Sequence, residues 1–361
     1  MHFYESSIIT TVDGLHCQVY GNEHPLEGIL IKPKYIPTEK LQSDILPCRF
    51  LSGRKMNRLN LWADRSELKR YIEEFKVQYP EYVYKSTMHD NERLFFFVPI
   101  NRIERIYFPK KGLSELMSMP VKSLDSHLKT VYDFVTFLLE SGLKIENLGV
   151  TYSTLMGHYL SSISDINIVV YGKENFWKLM SYLEKAKHPL LRWKTEDEWM
   201  AFYHRRNRYS IFSREQFLRY MKRKKSEGYF SDTLFVIFAV ENEEEAWFKW
   251  DEEKYHSLGL VAVEGKVADN FSSVVRPGYY EINDSKIING YKDVPVKKIV
   301  FYSRDYCMMA YPGEKIEACG LLELVKTKDG KQYYRIVIGY FDAYISDRRD
   351  KEYIKVINDG K

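Results

Sequence analysis

The sequence predicts an α+β protein of several domains: an N-terminal α+β part, a central mixed sheet with helices, and a β-rich C-terminal part folded as an OB-like barrel. Three observations carry this reading. A chain of 361 residues is too long for one ordinary core. Its apolar period changes along the way, from strand-like alternation near the start, to a helical stripe after residue 123, to alternation again past residue 258. Apolar residues make up 45% and charged ones 29%, which excludes a disordered, collagen-like or disulfide-scaffold protein. The expected boundaries are 1–115, 120–252 and 256–361.

In the first part, Ser6 to Val12 is β-branched, and Asp13-Gly14 is a hairpin turn before Leu15 to Tyr20. Ile29 to Ile31 is a strand between Gly28 and Pro33, and Leu59 to Trp62 is expected to add another. A helix capped by Asp64 or Ser66 puts Leu68, Tyr71, Ile72 and Phe75 on one face. Leu94 to Val98 reads as a buried strand. His2, His16, His24 and His89 lack ligand spacing and read as structural or surface residues. Pro109 to Gly112 and Pro120 read as a boundary.

The central part opens with a helix whose Leu124, Leu128, Val131, Val135 and Leu138 form one stripe, stopped at Gly142. A strand at Ile166 to Tyr171 precedes a second helix over 174–187. Residues 195–226 read as helical, with a capping box at Ser213 to Gln216. Thr233 to Val240 is a continuous apolar run, expected as a strand buried on both faces, and the acidic residues 241–253 as a solvated connection. Beyond them, 259–267, 296–302, 315–325 and 333–338 alternate as strands. Lys328 to Lys331 makes a hairpin turn, and Gly320 in mid-strand permits the coiling of a small barrel.

The chemistry concentrates between Gly149 and Gly172. A strand leads into a turn with Ser153 and Gly157, then a second strand opens at Ser164-Asp165-Ile166-Asn167. Alternate strand residues share a face, so Asp165 and Asn167 project together. Oxygen ligands at that spacing suit Mg²⁺, with Asp165 as the metal ligand. The Ser153 hydroxyl and neighbouring backbone N–H groups suit the phosphates of a nucleoside triphosphate. Metal-assisted nucleotidyl transfer needs this layout.

These residues resemble the motif of the nucleotidyltransferase superfamily typified by DNA polymerase beta, and more closely an archaeal family of predicted nucleotidyltransferases. Ser153, Gly157, Ser164, Asp165 and Ile166 stand at matching positions, with Ser153 twelve residues before Asp165. The Asp13-Gly14-Leu15 start, His24-Pro25 and the barrel-like C-terminus add to the likeness. The resemblance implies a polymerase-beta-like central domain in which Asp165 and Asn167 hold the catalytic positions, and Ser153, Gly157 and Ser164 bind nucleotide. The departures imply a degenerate site. Tyr152 replaces the glycine before Ser153, and Asn167 is a neutral amide where a bridging carboxylate belongs. The third acid, expected near Val236, is missing from its strand. Metal binding is therefore expected to be weak and transfer weakened or lost, with nucleotide binding retained.

An alternative is a non-enzymatic nucleic-acid-binding protein. The net charge of +4 does not call for nucleic acid, but nine Lys or Arg fall between His204 and Lys225, among them Arg205, Arg206, Arg208, Lys222 and Arg223. Tyr203, Tyr209, Phe212 and Tyr220 interleave with them, the pattern of backbone attraction plus base stacking. The barrel, with Tyr333 and Tyr334, would extend that surface for RNA or single-stranded DNA. Four scattered cysteines, no signal-peptide pattern and no long apolar run are the reasons to expect a cytoplasmic protein away from membranes.

Overall fold

In the computed structural model, all residues are described except 45, 91–92, 162, 206–210 and 358–361. The chain is mixed α+β, with seven α-helices among the described residues and three sheets. It divides into two compact units. Residues 1–5, 9–105 and 246–361 make the first; residues 6–8 and 106–245 make the second. The N- and C-terminal parts of the chain thus share one unit.

The first sheet holds β1 (Ile8–Thr11), β2 (His16–Val19), β3 (Gly28–Pro37), β4 (Cys48–Leu51), β5 (Arg54–Arg58), β6 (Val83–Lys85), β7 (Leu94–Pro99) and β8 (Ile103–Tyr107). Helix α1 (Arg65–Gln78) buries Leu68, Tyr71, Ile72 and Phe75, as its period requires. Its cap is Asp64, whose carboxylate accepts from the N–H groups of Ser66 and Glu67 at 3.0 and 3.1 Å. Leu59 to Trp62 is not a strand. The extra pair is the hairpin β4–β5, turned at Ser52-Gly53, whose polar residues hide its period.

The second unit opens with α2 (Pro109–Ser118), where the sequence suggested only a boundary. Pro109 sits in the first helical turn, where its missing N–H costs nothing. Gly112 lets α2 come close: a Cβ there would lie 2.3 Å from Leu155 Cδ1. Then come α3 (Ser126–Leu139), β9 (Leu148–Val150), α4 (Tyr152–Met156), β10 (Ile166–Tyr171) and α5 (Lys173–Lys185). The unit ends with β11 (Leu191–Arg192), α6 (Glu196–Arg205), α7 (Arg214–Arg223), β12 (Glu227–Phe230) and β13 (Thr233–Val240). The sheet order is β11-β12-β13-β10-β9, with β10 and β13 parallel.

One face of this sheet is core. Phe134 of α3 packs against Phe230 and Phe235 at 5.1 and 4.5 Å between ring centres. Burying such a ring stabilises by roughly 1.5–3 kcal/mol. The other face is only half covered: Leu234, Val236 and Phe238 are partly exposed, while Phe235 and Ile237 are buried. The apolar run is therefore not a strand buried on both faces. Its outward residues are apolar as well, which erased the alternation in the sequence.

The third sheet follows with β14 (Glu253–Asp269), β15 (Gly278–Asn289), β16 (Val296–Phe301), β17 (Lys315–Thr327), β18 (Gln332–Ile338) and β19 (Tyr353–Val356). Strand β14 is long and bulged, and it pairs with both β15 and β17. The pairings consequently return through β14-β15-β16-β18-β17, with β16 and β18 parallel. Gly320 lets β18 cross closely, since a Cβ there would meet Ile338, Ile336 and the Val337 oxygen at 2.6–2.7 Å. Inside the curl lie Val263, Ile299, Ile316, Ala318, Leu322 and Ile336, all fully buried. On its outer side Val300, Leu321 and Val337 pack against Leu30, Tyr84 and Phe95 of the first sheet, which explains why the two chain ends form one unit. All four cysteines are unpaired. No described helix is long and apolar enough to cross a membrane.

Candidate functional site

Strands β9 and β10 are antiparallel neighbours, with Gly149 opposite Val169. Gly149 has a packing reason, because a Cβ there would come 2.8 Å from the Pro109 backbone. Beyond β9 the chain does not make an open turn. Residues 152–156 wind one helical turn, α4, which places Ser153 on a helix. Gly157 ends it in the left-handed region at φ +72°, with open space where its side chain would be. Tyr152 enters the turn at φ +56°, a conformation that favours glycine. The glycine expected before Ser153 is thus replaced by a ring held in glycine-like backbone. That ring stands edge-on to Phe238 at 5.8 Å, over the half-covered face of the sheet.

Ser164 and Asn167 serve the local backbone. The Ser164 hydroxyl accepts from Leu160 N–H at 2.9 Å, and its N–H donates to the Leu160 oxygen at 2.8 Å. Asn167 is 4% exposed and turns its amide N–H₂ toward the Asp165 carbonyl at 3.4 Å. Asp165 remains partly exposed at the mouth of β10.

The parallel register decides where a third acid would stand. Asn167 pairs with Val236, so where the resemblance leads one to expect a carboxylate on β13 there is an isopropyl group. Val236 pairs in turn with Glu227 of β12. Paired residues share a face, so Asn167, Val236 and Glu227 form a row. The acid thus lies one strand too far, about 10 Å from Asn167 by two strand spacings. Glu227 is bound there to the ammonium of Lys194. Its strand, only four residues long and directly after the helical stretch, gives no strand signal of its own in the sequence. Asp232 and Glu241, the flanking acids, lie in the β12–β13 turn and in an ion pair with Lys173 at 2.7 Å. Among the described residues, no group of three or more His, Cys, Asp or Glu is placed to hold a cation.

Sequence reasoning missed His127, which α3 carries beneath α4. It is 2% exposed, and its Nε2 lies 2.9 Å from Thr154 Oγ1. Its ring stacks on Tyr159 at 4.5 Å, whose hydroxyl donates to Asp125 at 2.5 Å. Burial holds the imidazole below its ordinary pKa against the opposing pull of Asp125 and Asp165. Burial and then the Asp125 hydrogen bond push the Tyr159 hydroxyl up to about 12. Burial alone would raise Asp125, but the Leu128 N–H and the Tyr159 hydroxyl bring it below the usual carboxylate range. Together these groups fix the segment that bears Ser153 and Asp165. A lone helical His gives no spacing signal.

The basic residues sit on and after α6 and α7. Arg205 is exposed at the end of α6, Lys222 pairs with Glu196, and Arg223 closes α7; Arg206 and Arg208 lie outside the described residues, as does Tyr209. The described ones among the interleaved aromatics turn inward. Tyr203 packs on Phe217 at 5.0 Å, and Phe212 and Tyr220 are buried against each other at 5.3 Å, so these rings hold the helices together instead of facing a base.

No known family profile matches the chain, and no solved structure does. It is similar to an uncharacterized protein of Methanocaldococcus jannaschii, MJ1086, at 27% identity over 351 residues. That alignment covers 94% of this chain and 98% of the relative. The alignment takes in both units, and the relative's description carries no activity.

Proposed function

We propose that the second unit is a nucleotidyltransferase-like module that binds a nucleoside triphosphate but has lost efficient two-metal transfer. The observation that carries this reading is the register of β10 on β13. It sets Asn167 beside Val236, an amide next to a valine, with Asp165 one residue ahead of the start of β10. Parallel neighbours with an acid at the entry of one strand, next to a Ser-bearing turn, are the arrangement the resemblance implies. Asp165 would hold Mg²⁺ with help from the Asn167 oxygen, and Ser153 with the turn before Gly157 would meet phosphate. One carboxylate offsets little of a divalent charge, so the cation is held weakly.

The C-terminal curl supports a finer reading as well. Numbered within itself, its strand order is 1-2-3-5-4-1, with strands 3 and 5 parallel, which fits an OB-like barrel. Its outer face is occupied by Leu30, Tyr84 and Phe95 of the same unit. That leaves the barrel less room for an oligonucleotide than the sequence suggested, and favours the nucleotide reading over the nucleic-acid one.

Calorimetry of Mg-ATP and the other Mg-nucleoside triphosphates against wild type and Asp165→Ala tests the proposal. Weak binding, lost in Asp165→Ala, is expected. Restoring the acids in an Asn167→Asp, Val236→Asp variant should tighten Mg²⁺-dependent binding at least tenfold. Identical blank titrations for wild type and the restored variant, both folded by circular dichroism, refute it.

A further inference from the structure

The first unit contains an aromatic recess that the reading above does not use. Tyr20 and Tyr302 form its flat wall, stacked at 5.8 Å and 15° between planes. Trp250, Tyr255, Phe95 and the partly exposed Trp247 line it as well. Its floor is polar yet internally neutralised. Arg335, 2% exposed, sends Nε and a terminal nitrogen to Glu323 Oε2 at 2.9 Å each and lies on the Tyr255 ring at 3.7 Å. His89 Nε2 lies 3.0 Å from the Tyr340 hydroxyl, which itself donates to Glu323 at 3.2 Å. Burial, and then Arg335 and Arg93, push His89 down to about 3, so it is uncharged at neutral pH.

Two polar atoms remain over this floor. The Tyr302 hydroxyl has no hydrogen-bond partner among the described residues. Trp250 Nε1 is buried with no acceptor in bonding geometry, although the Tyr84 hydroxyl lies near it. A buried indole N–H normally finds an acceptor. As it stands the recess leaves about 20 Å³, room for a water. A larger guest would need room, which a shift of the Trp247 ring would supply. Trp247 is partly exposed, sits on a stretch with no helix or strand, and is tethered through Nε1 to the Pro277 oxygen at 2.9 Å. What leaves is a flat bicycle, so a flat bicycle restores the packing.

We propose that this recess receives an uncharged planar heteroaromatic ring of about indole size, with an acceptor atom on its edge facing Trp250 Nε1 and the Tyr302 hydroxyl. A net charge is disfavoured because the floor is already balanced, and a ring without an acceptor leaves both donors unmet. The proposal does not depend on the nucleotidyltransferase-like reading, which concerns the other unit.

Calorimetry of the full-length chain with free adenine, which carries no phosphate, tests it. Indole, of the same shape but without a ring acceptor, serves as the control. Saturable adenine binding is expected, with indole at least tenfold weaker. Tyr302→Phe and Trp250→Phe, which keep a ring in place, should each weaken adenine about tenfold, the value of one hydrogen bond. Asp165→Ala should leave it unchanged. Absence of saturable adenine binding, equal affinity for indole, or unchanged affinity in both ring variants overturns the proposal.

Discussion

Glu352 should make this protein less stable as the solution turns from mildly acid to mildly basic. The residue is 7% exposed, accepts from the Gly339 N–H at 2.7 Å and pairs with Arg348 at 2.9 Å. Burial raises its pKa to about 7 and outweighs the opposing pull of Arg348 and of the Gly339 N–H, while Asp342 adds to the rise. The folded value therefore lies above the unfolded one of 4.5. The folded state binds the extra proton between the two values, so its stabilisation is complete below the lower and lost as pH climbs through the upper. A gap of about 2.5 units is worth about 3 kcal/mol, with roughly two-thirds of it falling between pH 5 and 7. Other groups act in the opposite direction. His24 and His89 are buried neutral, with burial lowering them to about 4 and about 3, so they destabilise the fold as pH falls below 6.5. The comparison must therefore be with Glu352→Gln, which removes this one titration and leaves the histidines. Urea unfolding followed by tryptophan emission at several pH values gives the difference. The variant should gain on wild type by about 2 kcal/mol between pH 5 and 7. A difference that stays flat over that range, or changes in the other direction, refutes the reasoning.

Two further substitutions test the packing. Arg335→Met leaves the Glu323 carboxylate, which is fully buried, without its cation, and should cost about 3–5 kcal/mol; the double variant Arg335→Met, Glu323→Leu should recover most of that by chemical denaturation. Gly320→Ala forces a methyl into contacts of 2.6–2.7 Å with β18 and should destabilise by about 1–3 kcal/mol, whereas Gly330→Ala meets no atom within 4 Å and is strained only by its φ of +83°. A smaller thermal shift for Gly320→Ala than for Gly330→Ala contradicts the close crossing of β18.

Much of the local architecture was legible in the chain. The cap at Asp64, the stripe on α3 and the reciprocal bonds between Ser213 and Gln216 each follow from neighbours a few residues apart. The failures have local causes too. Proline at the start of α2 looks the same as proline in a linker until a helix packs behind it. Strand β12, Glu227–Phe230, is too short and carries a glycine at its second position, so no alternation marks it. Strand β15, with Asn283, Asp284 and Ser285 in its middle, carried too little alternation to be seen.

The candidate site divides in the same way. Residue types and spacing placed Ser153, Gly157, Asp165 and Asn167 on one segment, because a turn and a strand are fixed by contiguous backbone. The sequence could also say that an acid was missing from β13. It could not say that Val236 faces Asn167, that Glu227 lies one strand beyond, or that His127 supports the turn from below. Those facts depend on the register and packing of segments tens of residues apart, which no local period encodes. The same holds for the first unit, where the aromatic recess arises only because residues near 20, 90, 250, 302 and 335 meet. Their meeting is set by which apolar faces bury each other best, a property of the folded whole.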